Sequence, residues 1–279
     1  MIAEPARIDF KLLGGFAGLS LLATLCGVAA MAMTDISAMR WIPNIAAWTL
    51  GAVTALAMAR TTPSPRLLSG IVLVALALVA ATLAAPGQDG VHRWLAAGPL
   101  YVNIAALTLP AAIVAMARLG AENRLVPIAA TGIAAILAIQ PDASQAFAFA
   151  FAALVVMLTD KRISALVSVL CIFALAALAL LRPDPLQPVA EVEQIISLAM
   201  AAHPALGWAA MVSLAAIPLM LLAMRLGDTA ARALALYIAA ACVAPLFGWF
   251  PVPLVGAGMS FPLGLWLGIG LLAARRANA

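Results

Sequence analysis

The sequence predicts an all-α, polytopic transmembrane protein of about ten spans, with both termini on the same side of the bilayer. Three observations predict it. The 279 residues are 66% hydrophobic and only 9% charged, far from the composition of a soluble domain. Apolar runs of about 16 to 22 residues recur from end to end, and a helix needs roughly 20 residues to cross the hydrocarbon core. Twelve of the fifteen Lys and Arg residues fall on one side of a single ten-span reading.

The spans are justified in order. Span one, 12–33, follows a stretch of mixed charge (Glu4, Arg7, Asp9, Lys11) and is expected to be an anchor, not a cleaved leader. Span two, 41–59, lies between Arg40 and Arg60, and span three, 67–85, follows the Pro-rich basic turn that ends at Arg66. Span four, 98–117, stops at Arg118. Spans five, 125–140, and six, 143–159, are short and meet at Gln140-Pro141-Asp142. Span seven, 163–181, follows Lys161-Arg162. Span eight, 194–224, is long and carries Pro204 and Pro218, so it kinks or begins as a half-buried helix. Spans nine, 229–250, and ten, 255–274, complete one integral membrane domain covering 1–279.

Charge orients this array. Arg7, Lys11, Arg60, Arg66, Arg118, Arg124, Lys161, Arg162, Arg225, Arg232, Arg275 and Arg276 share one side; Arg40, Arg93 and Arg182 share the other. The positive-inside rule makes the first side cytoplasmic. The sequence pI near 9.4 then reflects contact with anionic lipid head groups and no nucleic acid. Cys26, Cys171 and Cys242 all fall within spans, so neither a disulfide nor a metal site is expected, and no cofactor is implied. The basic turns on the inner rim read as topology anchors at the lipid surface.

Ionisable residues are absent from the middle of the spans, which argues against an ion-coupled transporter. Chemistry is pushed to the rims, and the outer rim is the richer one. It gathers Asp35, Arg40, Asp89, His92, Arg93, Gln140, Asp142, Arg182, Asp184, Glu191, Glu193 and Gln194. Arg there can bind phosphate, and a carboxylate can act as a general base. The plainer reading is that these groups cap helices and solvate loops. Asp142 fits an N-cap, and Glu193 fits a helix-start carboxylate. Arg93 beside Trp94 fits a snorkelling anchor, and Gly14-x-x-x-Gly18 and Gly264-x-x-x-Gly268 fit close helix packing.

Three outer segments add a resemblance. Gly90-Val-His-Arg-Trp-Leu-Ala-Ala-Gly-Pro99, Gln140-Pro141-Asp142, and Gly256 through Pro262 after Pro251 and Pro253 stand in that order. They resemble the Gly-x-Arg-Arg-Trp-Ile-x-x-Gly-Pro, Gln-Pro-Asp and Pro-x-x-Gly-x-x-Leu-Pro-Phe segments of the SEDS family, the FtsW/RodA/SpoVE-type cell-wall proteins. The resemblance implies ten spans with both termini cytoplasmic. It implies polymerisation of lipid-linked disaccharide-pentapeptide at the outer face, with a single-pass transpeptidase as partner, in cell division or cell-shape maintenance. A non-catalytic scaffold and a flippase of lipid-linked intermediates are the alternatives.

Carried over residue by residue, Arg93 contacts the pyrophosphate or holds the outer loops together, and Gln140 and Asp142 sit at the mouth of the cavity. The family's catalytic Asp falls on Gln194 by gap-free matching, with Glu193 next to it as the candidate base. The sequence departs from the pattern at His92, at Val102-Asn103-Ile104-Ala105, at Leu263-Gly264-Leu265-Trp266, and in a fourth outer loop cut to about a dozen residues, 182–193.

Overall fold

Helices form wherever the apolar runs are uninterrupted, because a backbone in lipid must satisfy its own hydrogen bonds. The computed structural model describes residues 7–98, 100–182 and 184–275. Among them are eleven α-helices: α1 Phe10–Met33, α2 Ala38–Ala59, α3 Pro65–Ala81, α4 Ile104–Leu119, α5 Leu125–Ile139, α6 Ala143–Met157, α7 Ile163–Leu181, α8 Ile195–Ala202, α9 Pro204–Met224, α10 Thr229–Val243 and α11 Ser260–Ala273. Two short antiparallel pairs accompany them. Strand β1, Arg7–Ile8, joins β4, Ala274–Arg275, and strand β2, Trp94–Ala97, joins β3, Leu100–Asn103. Six helical segments are long and apolar enough to cross a membrane, and α4, α5, α6 and α11 are shorter apolar helices.

Local chemistry sets the boundaries. Asp9 accepts from Leu12 N at 3.1 Å and starts α1; Ser64 accepts from Leu67 N at 3.2 Å and, with Pro65 in the first turn, starts α3. Gly120, at φ 79°, ends α4.

Three boundaries differ from the sequence expectation. Residues 100–103 do not open a helix, because the hairpin pairs Trp94 with Asn103 and Ala97 with Leu100. Expected span eight is two helices, because His203 is extended and Pro204 lacks an N–H to continue α8. Residues 255–259 are non-helical and run beside the cavity described below.

The core sits where α11 packs between α2 and α4, α1 against α9, and α6 against α7 and α10. Glycines permit these approaches. A Cβ on Gly264 would lie 2.0 Å from Ala106 O, and one on Gly268 2.9 Å from Pro110 Cβ. Gly14 and Gly18 have open space instead. The outward faces carry Leu, Ile and Val, as lipid contact requires; Leu166, Leu170 and Leu178 on α7 are examples.

The basic end is more structured than a set of lipid anchors. Arg225 pairs with Asp9 at 2.6 Å with both side chains largely buried, and Arg118 donates to the carbonyls of Leu272 and Ala274 at 3.1 and 2.8 Å. These cations bind the chain ends to the bundle, because the last carbonyls of α11 have no intrahelical donor.

Candidate functional site

At the opposite end the helices enclose a cavity of about 330 Å³. Its floor is built from the N-termini of three short helices. Asn103 caps α4, accepting from Ala106 N at 2.9 Å, and Asp142 caps α6, accepting from Gln145 N at 3.4 Å. Ser260 opens α11 and accepts from Asn103 N at 2.8 Å. Asn103 Nδ2 also donates to Asp142 Oδ2 at 3.1 Å, and Ser144 Oγ donates to Asp142 Oδ1 at 3.2 Å. The buried Asp142 carboxylate is therefore held by uncharged donors and by the positive end of a helix dipole. The Asp142 carboxylate already meets the α6 end; the ends of α4 and α11 on the same cavity favour an anionic ligand.

Loops complete the walls. Arg93 is 7% exposed and donates to Asp184 at 2.6 Å and to the carbonyl of Pro141. Its guanidinium lies 5.8 Å from the centre of the Trp94 ring. Arg93 thus joins the hairpin, the α5–α6 turn and the α7–α8 loop. Of the two roles carried over for it, the loop tie is the one made by its contacts. Across the cavity Arg40 pairs with Glu191 at 2.6 Å. The same loop bonds to the non-helical segment before α11, through Ala257 N to Glu191 O at 2.7 Å and Val252 N to Val192 O at 3.2 Å.

Glu193 lines this cavity, and Gln194 does not. The Glu193 carboxylate accepts from Val189 N at 2.7 Å, which closes the turn ahead of α8. Burial raises its pKa above the ordinary carboxylate value; the Val189 N–H and the Arg93 charge oppose the shift, and Asp184 adds to it. Asp142 lines the cavity floor, whereas Gln140 does not line it. The Gln140 amide donates to Val79 O at 2.8 Å and to Thr82 Oγ1, so it ties α5 to the end of α3. Among the described residues no group of three or more His, Cys, Asp or Glu is placed to hold a metal ion.

Sequence reasoning missed the uncharged polar residues. Asn44, inside α2, donates to Gly256 O at 2.8 Å and accepts from Gly258 N at 2.8 Å, pinning the segment before α11. Tyr237 and Gln145 form a further buried pair. Their signal was a carboxamide or phenol inside an apolar run, which a search for charges passes over.

Solved structures share this arrangement. Thermus thermophilus rod shape determining protein RodA superposes with a TM-score of 0.66 at 19% identity, covering 95% of each chain. A mutant of that protein gives 0.67 at 18% identity, over 95% of this chain and 96% of the other. A chain from a peptidoglycan synthase complex, described as coordinating polymerization and crosslinking, gives 0.63 at 20% identity over 98% and 99%. The chain has a SEDS-like fold. It is a multi-pass membrane protein with RodA's helix arrangement. No protein-family model matches the chain, and no curated protein matches it.

Proposed function

We propose that the protein is a SEDS-type glycan polymerase of the bacterial inner membrane, acting on lipid-linked disaccharide-pentapeptide at its outer face. The observation that carries this reading is the cavity itself. Glu193, a partly buried carboxylate, shares it with Asp142, Asp184, Arg93, Arg40 and three helix N-termini. In the proposed reaction an acceptor sugar hydroxyl attacks the anomeric carbon of the lipid-linked donor. Glu193 takes the hydroxyl proton as the new C–O bond forms, and the bond to the lipid pyrophosphate breaks. A raised pKa suits that task, because a base nearer the working pH drives proton transfer harder. The departing pyrophosphate gains charge, which the N-termini of α4 and α11 and Arg93 stabilise. Asp142 orders the floor, and Gln140 supports the site through α3.

Polymerisation of fluorescent lipid-linked disaccharide-pentapeptide by the purified protein, with and without a single-pass transpeptidase, tests the reading. Strands form with wild type, and Glu193→Gln abolishes them while the protein stays folded. Undiminished synthesis by Glu193→Gln would remove Glu193 from the mechanism.

One observation favours a second reading, a non-catalytic scaffold for a transpeptidase. The Glu193 carboxylate closes its own turn, and Arg40 and Arg93 are both paired with carboxylates. Co-purification of a single-pass partner without turnover in any condition would select the scaffold.

A further inference from the structure

The cavity contains a donor that none of the chemistry above uses. Gln145, in the first turn of α6, is 1% exposed and lines the cavity beside Asp142. Its carbonyl oxygen accepts from the Tyr237 hydroxyl at 2.6 Å. Tyr237 is fully buried in α10 and does not line the cavity. A buried phenol must place its proton on an acceptor, and Gln145 Oε1 is the one it has. This bond fixes which way the carboxamide faces. With Oε1 turned to Tyr237, Nε2 is left without a hydrogen-bond partner among the described residues. Nε2 keeps slight solvent access, and the cavity is the space that Gln145 borders.

We infer that Gln145 Nε2 is a recognition donor for an uncharged acceptor oxygen on the bound saccharide, with Tyr237 as its positioning residue. The inference rests on the glycan-polymerase reading and names a specificity contact within it. Charge selects the acceptor. The Asp142 carboxylate accepts from the Gln145 backbone N–H at 3.4 Å, so a phosphate oxygen brought to Gln145 would meet a neighbouring negative charge. A neutral oxygen, such as an acetamido carbonyl, meets no such repulsion. A free N–H donor in a nearly buried side chain also discriminates, because a ligand lacking the acceptor leaves it unpaired.

The test compares two ligands in nanodiscs: lipid-linked disaccharide-pentapeptide and polyprenyl pyrophosphate without sugar. Gln145→Leu removes the donor but strands the Tyr237 hydroxyl, so Gln145→Leu/Tyr237→Phe is the variant that keeps the pair apolar and the fold intact. The double variant binds the sugar-bearing lipid about tenfold more weakly, the loss expected for one neutral hydrogen bond, and binds the bare pyrophosphate as wild type does. Tyr237→Phe alone gives a smaller loss, again selective for the sugar-bearing lipid, since it loosens the amide without removing it. A merely structural role for Tyr237 would weaken both ligands alike. Equal weakening of both, or wild-type affinity for the sugar-bearing lipid in the double variant, overturns the inference and leaves the polymerase reading standing. Failure of wild type to bind the sugar-bearing lipid overturns both.

Discussion

Replacing Arg93 by Met keeps an unbranched side chain and deletes the guanidinium, which leaves Asp184 and the Pro141 carbonyl without their donor. Breaking a fully buried ion pair costs about 3–5 kcal/mol. Asp184 retains 27% of its side-chain exposure and still accepts from Leu186 N, so its share falls to about 2 kcal/mol. An orphaned buried carbonyl adds about 1 kcal/mol. The sum, about 3 kcal/mol, lowers the melting temperature by roughly 6–12 °C at the few degrees per kcal/mol usual for a chain of this size. Asp184→Asn should cost less, because an uncharged acceptor remains. Thermal unfolding of wild type, both single variants and Arg93→Met/Asp184→Asn in nanodiscs gives the coupling between them, expected at about 1–2 kcal/mol. If Arg93→Met melts with wild type, or the two losses simply add, Arg93 is not the tie between the three outer segments.

Two further predictions follow from particular positions. A Cβ on Gly27 would lie 2.0 Å from Val255 O, so Gly27→Ala should displace the segment before α11 and lower the melting temperature, whereas Gly18→Ala, with nothing within 4 Å, should be neutral or slightly stabilising. Burial raises the Glu193 pKa, so the acid limb of the synthesis–pH profile should lie above that of a freely solvated glutamate. By linkage the protonated form favours folding. That contribution is complete below the unfolded-state pKa and is lost as pH rises through the folded one, so wild type should lose melting temperature relative to Glu193→Gln across that window.

Much of the fold was legible because two signals, apolar run length and Lys/Arg sidedness, are long-range and redundant. What was not legible depended on single hydrogen bonds. Nothing in an apolar run marks that 100–103 will pair as a strand; Asn103 decides it by capping α4 and meeting Ser260. Arg93, Asp142 and Glu193 were visible as outer-rim charges, and all three line the cavity. Gln140 was visible too, yet its amide faces α3, where it donates to the Val79 carbonyl and the Thr82 hydroxyl. Asn44, Gln145 and Tyr237 carry no charge, and only tertiary contacts give them roles.

Helix length explains why the polar groups collect at one end. α4, α5, α6 and α11 have 16, 15, 15 and 14 residues. They rise about 21–24 Å, some 6–9 Å short of a hydrocarbon core of roughly 30 Å. Arg118 binds the basic ends of α4 and α11 together, and strands β1 and β4 join the start of α1 to the end of α11, so their deficit falls at the other end. There the hairpin, the α7–α8 loop and the segment before α11 must fill space at membrane depth. Irregular backbone is tolerated at that depth only when it is buried in protein or lines a cavity. Asn44, Ser260 and Glu193 accept from its amides, and the space they leave is the cavity. The shortness of four helices is therefore the physical origin of the site. Lengthening α11 by one turn at its N-terminus should fill the cavity and remove ligand binding without unfolding the bundle.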